Sequence, residues 1–365
     1  MRHQHFGSIH EVMELLRSEV PKNPFPETSR DGYVWINDQG QGRLIPSPGA
    51  PFWSPFLYRG QTERYPHCVP GVFRGLPMVD HPQKLSQLDR AKCFIAWVRL
   101  EEFLMALRMH PAYAYSKEMN LVVSEEALAQ HYELATGRLD LTQDPDVAAF
   151  FATNWRDENG QWHPVKEGKE VGVVYRVAIS HLKQVLGEER YEFCAEWIGK
   201  QAWPRPGEQK GWTLLVSLGV DFEDYPGDIL TFDQRESCGA DFHQKFDAGR
   251  KLFPPDVLSE VAETIKTAPT MARSLVSEVL SSLGCTGEMH NRELDASVGF
   301  FAHHFGIDVV DREPIGLSPE QFLMAQAQLE KMRPTFLHDV RALAVCRPIS
   351  TELGAISRQK EGGPG

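Results

Sequence analysis

The chain lacks several things at once. No run approaches the roughly 20 apolar residues that a membrane-spanning helix requires. None of the six cysteines (Cys68, Cys93, Cys194, Cys238, Cys285 and Cys346) forms a CxxC pair, and six thiols among 365 residues are too dilute for a disulfide framework. Reduced thiols in a cytoplasmic protein are therefore expected, and the opening MRHQHFGSIHEVMELL has neither the apolar core nor the small-residue cleavage site of a secretory signal. Basic residues are also scarce: 38 Lys and Arg against 50 Asp and Glu give a formal charge of -12. Blanket neutralisation of phosphates is thereby excluded, although a local basic groove is not. GxxxxGK[ST], GxGxxG after a strand, HExxH and GxSxG are all missing. Cys238 with His243, and the adjacent His303 and His304, do not build a set of four metal ligands, so no metal is expected.

What is present is ordinary globular composition, 42% hydrophobic and 24% charged. Behind Ser8, residues Ile9, Val12, Leu15 and Leu16 recur at helical spacing. Residues 21–55 are rich in Pro, Gly, Asn and Asp and read as turns around one short strand, YVWI. FLYRG follows as a buried strand that stops at a polar tip. Residues 84–110 carry a long helical pattern, and SEEALAQHYEL opens on Ser124, Glu125 and Glu126 as a capping box does. LDLT is a short strand, and DPDVAAFFATNW is a helix with Asp144 as cap and Pro145 at its first position. VGVVYRVAI is the clearest strand; GWTLLVSL and the weaker GDILTFD are two more. From Pro254 to about Val345 the pattern is mostly helical. These features predict an α+β fold with a mixed or antiparallel sheet core followed by a mainly helical part. The segments are 1–54 (helix and extended chain), 55–253 (α+β) and 254–365 (helical).

Three segments pack polar residues into apolar runs. In LYRGQ, Arg59 ends a buried strand, where its planar fork needs an anion or a carboxylate, and Gly60 permits close approach of backbone or ligand. In QHYELATGRLDLTQDPDVAAFFAT, the residues Gln130, His131 and Tyr132 close a helix, while Asp140 and Thr142 lead into a helix N-terminus, a place that favours anions. Asp140 and Thr142 can equally serve the backbone amides of a turn. In PRPGEQKGW, Arg205, Glu208 and Gln209 precede a strand and read most simply as an exposed loop.

In this order the three segments resemble the FRG domain, a family with YRGQ, P-x-L-F-R, QHYGLPTRLLDWT-x-x-P-x-x-A-x-x-F-A and R-x-x-x-Q-x-G-x-F blocks. Tyr58-Arg59-Gly60-Gln61, PGVFR ending at Arg74, and Gln130, His131, Tyr132, Thr136, Asp140, Thr142, Pro145, Ala148, Phe151 and Ala152 carry the likeness, followed by Arg205, Gln209, Gly211 and Trp212. The chain departs from it at Glu133-Leu134-Ala135-Thr136-Gly137 for Gly-Leu-Pro-Thr-Arg, with Arg138 one place late, and at Leu141 for Trp.

More distantly, LYRG followed by LTQDPDVAAFFAT is similar to the first two elements of arginine–serine–glutamate ADP-ribosyltransferases. That resemblance implies a related fold and NAD as substrate, held by Arg59, Gly60, Gln61 and Tyr132. Chemistry would involve His131, Asp140, Thr142, Glu208 and Gln209, with Thr142 bracing the nicotinamide ribose and a carboxylate stabilising the ribosyl cation. The third element, a strand-borne Glu, has no direct counterpart: Glu208 and Gln209 are nearest by order and Asp140 is a local source of negative charge. A toxin or phage-defence effector is the implied role, with a protein or nucleic-acid acceptor. Two other functions fit the residues: a binding module for a nucleotide or nucleic-acid end, without chemistry, and a hydrolase or nuclease with His131 as base and Asp140 orienting it. The helical C-terminal part reads as scaffold or as a partner-binding surface.

Overall fold

A computed structural model describes residues 1–19, 32–38, 40–47, 50, 53–168, 171–187, 190 and 194–342. Seven strands form the main sheet: β1 (Arg2–Phe6), β2 (Phe56–Gln61), β3 (Arg138–Thr142), β4 (Val171–Ala178), β5 (Ala195–Trp197), β6 (Gly211–Leu215) and β7 (Asp228–Asp233). Their spatial order is β1-β7-β4-β2-β3-β6-β5. Only β1 and β7 run parallel; the other neighbours are antiparallel. The chain is therefore α+β with a mixed, largely antiparallel sheet.

Burial on both faces explains the β-branched run in β4. Val174 joins Tyr58, Leu230, Phe232 and the helices Ile9–Glu19 and Pro145–Thr153 in one apolar cluster. Val173, Tyr175 and Val177 point the other way, with Leu57, Leu139, Leu141 and Phe222. The helix Pro145–Thr153 starts as its sequence requires, with Asp144 accepting from the Asp146 amide at 2.9 Å and Pro145 at the first position.

Segment 1–54 does not stand apart from the sheet. RHQHF, which lacks apolar alternation, becomes the edge strand β1 through main-chain pairing to β7 and through Arg2 to Asp228 (2.9 Å). Nor is the helical part separate. The helix Gln87–Met109, inserted between β2 and β3, shares a cluster with Val257, Leu258, Val261 and Ile265 of the helix Val257–Thr267 through Phe103 and Leu107. The strand predicted at YVWI, Tyr33–Asp38, pairs with Gln41–Pro46 and with Val340–Ala342, so residues near both ends of the described chain meet in one small sheet. The five described cysteines carry no disulfide, and Cys346 lies outside the described residues. Among the described residues, no helix is long and apolar enough to cross a membrane.

Candidate functional site

The main sheet is split at one seam. β2 and β3 share a single ladder position, Tyr58 opposite Thr142. One residue further along, Arg59 Nη1 donates to the Asp140 carbonyl at 2.9 Å, so a side chain rather than the ladder bridges the strands. A cavity of ≈ 170 Å³ opens there. Its walls are Arg59, His131, Asp140 and Gln209 on the polar side, and Leu141, Val147 and Phe151 on the apolar side.

His131 is the last residue of the short helix Glu125–His131. Ser124 does not cap this helix as expected; its hydroxyl is given to Glu196 at 2.5 Å. The His131 imidazole is almost wholly buried, its side chain 2% exposed. It fits because residue 211 is glycine: a Cβ there would lie 2.7 Å from both Cε1 and Nε2 of the ring. Nδ1 is 2.7 Å from Gln209 Oε1, and the Gln209 amide nitrogen donates to the Leu252 carbonyl at 3.0 Å. That second bond fixes the amide, so Oε1 accepts and Nδ1 carries the proton. Nε2 is thereby left as a bare acceptor, buried and without a hydrogen-bond partner among the described residues. Burial lowers the imidazole's pKa from the ordinary 6.5, against the opposing field of Asp140.

Asp140 Oδ1 likewise has no hydrogen-bond partner among the described residues and lies 4.0 Å from His131 Nε2, although the Asp140 side chain as a whole is 39% exposed. The other oxygen, Oδ2, accepts from Gln130 Nε2 at 3.0 Å, and Thr136 fixes Gln130 by donating to its Oε1 at 2.5 Å. The orienting partner of His131 is therefore Gln209, whereas Asp140 faces the reactive nitrogen; the arrangement expected for a His/Asp hydrolase is reversed. Arg59 makes no ion pair with any described carboxylate. Its described partners are the Asp140 carbonyl and the Cys68 thiol, and its Nε is buried and unpaired. Burial and the charge of Arg59 both lower the pKa of the Arg74 guanidinium. Arg59 is the cation that lines the cavity, facing Asp140 and His131 there; Arg74 lies outside the lining.

The other residues singled out by sequence divide between the site and its supports. Thr142 lines the cleft, but its hydroxyl donates to the Gln209 carbonyl (2.7 Å) and accepts from the Asp144 amide (3.0 Å), so it braces the segment that orients His131. Gly60 is explained by the helix Pro145–Thr153, because a Cβ at residue 60 would sit 1.8 Å from the Ala148 carbonyl oxygen. Gln61 and Tyr132 do not line the cavity. Tyr132 is buried on its far side, donating to Asp256 beneath the Arg205 guanidinium, which lies 4.8 Å from the ring centroid. PRPGE is not an exposed loop but the short helix Pro204–Glu208, with Arg205 buried and donating to the His131 carbonyl at 3.3 Å. Glu208 is exposed on its outer side and does not line the cavity. The Leu252 carbonyl, which sets the tautomer, was invisible in sequence because any residue can supply a carbonyl. Among the described residues, no group of three His, Cys, Asp or Glu could hold a metal ion.

Against known proteins, the FRG domain model matches residues 54–161, a stretch that includes Arg59, His131, Asp140 and Thr142 but ends before Gln209. No curated protein and no solved structure matches the chain.

Proposed function

We propose that the seam cleft of this FRG-domain protein takes the nicotinamide–ribose end of NAD and breaks the bond between them, in the manner of an ADP-ribosyltransferase-like enzyme. One observation carries the reading: Arg59, His131 Nε2 and Asp140 Oδ1 converge, each with an unpaired buried atom, on a single cavity of ≈ 170 Å³. An engineered cavity of about 150 Å³ accepts one benzene ring, so this one has room for a single ring or sugar but not for a dinucleotide. Phe151, Leu141 and Val147 offer the apolar walls a ring requires. Arg59, with no carboxylate of its own, suits the adjacent phosphate. Asp140 faces the position where positive charge would develop on the ribosyl carbon. The toxin or defence-effector role depends on the same turnover and fails with it.

The test is a thermal-shift and calorimetric titration with NAD, with nicotinamide release followed in parallel, on the wild type and Arg59→Ala. A charge-assisted hydrogen bond to phosphate is worth about 1.5–3 kcal/mol, so Arg59→Ala should weaken binding roughly 10- to 150-fold. Arg59→Ala also removes the hydrogen bond that bridges β2 and β3 and the contact with the Cys68 thiol, a loss of about 1–3 kcal/mol, so the fold of the variant is checked by circular dichroism before affinities are compared. A folded Arg59→Ala protein with wild-type NAD affinity would overturn the proposal. A second reading, a nucleotide-binding module without chemistry, is favoured by one fact: among the described residues Asp140 is the only carboxylate lining the cleft, with Glu208 outside it. That module would show NAD-dependent stabilisation with no nicotinamide released.

A further inference from the structure

We infer that the acceptor in this cleft is water, so that the turnover is hydrolysis of NAD to ADP-ribose and nicotinamide. This rests on the NAD reading of the site and goes beyond it, since a transferase would deliver the ribosyl group to a side chain or a nucleotide.

Access is the first argument. The base among the described residues that lines the ≈ 170 Å³ cavity is His131, whose side chain is 2% exposed, while Asp140 on the wall beside it is 39% exposed. With a ring or ribose seated there, an acceptor side chain carried by a macromolecule has no room to reach Nε2, whereas a water needs only about 10–15 Å³.

Hydrogen-bond geometry is the second. His131 Nε2 and Asp140 Oδ1 are two buried acceptors, both unpartnered, 4.0 Å apart. One donor atom about 2.8 Å from each would subtend roughly 90° between them, close to water's own H–O–H angle. A hydroxyl brings a single hydrogen and would leave one acceptor unsatisfied. Gln130 and Gln209 hold the two acceptors in place from behind, by 3.0 Å and 2.7 Å hydrogen bonds.

The step balances. The water oxygen forms the bond to ribose C1′ while the C1′–N bond to nicotinamide breaks. The bonding pair leaves on the nicotinamide nitrogen, which becomes neutral. One water proton passes to His131 Nε2 and then to solvent. Asp140 stabilises the positive charge on the ribosyl ring. Gln209 is a positioning residue: by accepting from Nδ1–H it makes Nε2 the basic nitrogen. The charged groups facing His131 are Asp140 and Arg205.

The experiment incubates the full chain with NAD radiolabelled in the adenine, with and without added protein and oligonucleotide acceptors. Free ADP-ribose, nicotinamide and acid-precipitable label are counted, and NAD binding is measured separately by calorimetry. One free ADP-ribose per nicotinamide is expected, with no label in macromolecules. His131→Gln should keep NAD affinity within about threefold and lose release by roughly 10²- to 10⁴-fold. Gln209→Glu preserves an acceptor for Nδ1–H and adds negative charge, so it should retain turnover while moving the acid limb of the pH–rate profile upward. A purely structural role for residue 209 would not produce that shift. Nicotinamide release with the label in an acceptor overturns hydrolysis and leaves the NAD reading standing. Binding without release also overturns hydrolysis, in favour of the binding module. Absence of NAD binding overturns both.

Discussion

Replacing Gly60 by alanine separates two explanations of the YRG glycine: room for a ligand, or room for a helix. An ideal Cβ at residue 60 lies 1.8 Å from the Ala148 oxygen and 2.8 Å from both the Ala148 carbon and the Ala152 nitrogen. An ordinary carbon–oxygen contact is about 3.3 Å, so the helix Pro145–Thr153 must retreat by roughly 1.5 Å. All three obstructing atoms are backbone, and no side chain can rotate out of the way. The helix cannot retreat freely either, since Val147, Ala148, Phe150 and Ala152 are buried with Ile9, Leu16 and Phe232. Overpacking costs about 1–3 kcal/mol where side chains can yield, so Gly60→Ala should lose at least about 3 kcal/mol or fail to fold. Val147 and Phe151 ride on the same helix, so the cavity they line changes shape in any folded fraction. Urea unfolding followed by circular dichroism measures the loss. A soluble Gly60→Ala protein whose unfolding free energy is within about 0.5 kcal/mol of wild type would refute the reasoning, and glycine would then have to be explained by a ligand.

Three further outcomes are expected. Thr142→Val keeps the shape but strands the Gln209 carbonyl and the Asp144 amide, so stability should fall by about 1–3 kcal/mol with NAD affinity unchanged; a selective loss of affinity would restore Thr142 to the ribose. Glu133 occupies φ 66°, where the family pattern has glycine, and pairs with Arg156 and Lys266. Gly and Ala at residue 133 lose the same ion pairs but differ in strain, so Glu133→Gly should be more stable than Glu133→Ala by about 1 kcal/mol; equal stabilities would rule out the strain. The neutral, buried His131 has a folded pKa below its unfolded 6.5. Above pH 6.5 it therefore contributes fully, and as pH falls further the unfolded state takes up a proton that the folded state refuses. Between pH 7.5 and 5 the wild type should lose more stability than His131→Gln, and parallel pH curves for the two proteins would contradict the assignment.

Much of this was legible in the sequence for local reasons. Periodicity gave the helices, β-branched runs gave β4, and Asp144-Pro145 gave a helix start that carries its own capping partner. What sequence missed depended on contacts made far along the chain. β1 is polar except for Phe6, lacks the alternation of a strand, and becomes one because β7, 226 residues later, offers its edge (Arg2 opposite Asp228). Arg205 and Gln209 read as loop residues, yet both are buried: one lies beneath Ser259 and against Tyr132, the other between His131 and Leu252. Asp140 orients His131 only in the hydrolase reading of the sequence, and is a local negative charge in the transferase reading. The choice between Asp140 and Gln209 rests on which ring nitrogen each one faces, a fact of three dimensions alone.

The distribution of these partners also argues that the 54–161 stretch is not self-sufficient. Of the seven strands it contains only β2 and β3, and those meet at a single ladder position. The remaining pairing of β2 comes from β4, and that of β3 from β6, both outside the matched stretch. An isolated two-stranded unit is marginal in water at best, and this one lacks even a continuous ladder. The proton on His131 is settled further away still, by Gln209 and through it by the Leu252 carbonyl. Arg205, anchored on Ser259, and Tyr132, bonded to Asp256, tie the end of the His131 helix to the start of the helix Val257–Thr267. The matched region supplies the groups that would meet a ligand, while the following hundred residues, from about 162 to 259, fix their geometry and protonation. A fragment ending at residue 161 should therefore neither hold the seam open nor keep Nε2 as the basic nitrogen, even though every polar group facing the cavity except Gln209 is present in it.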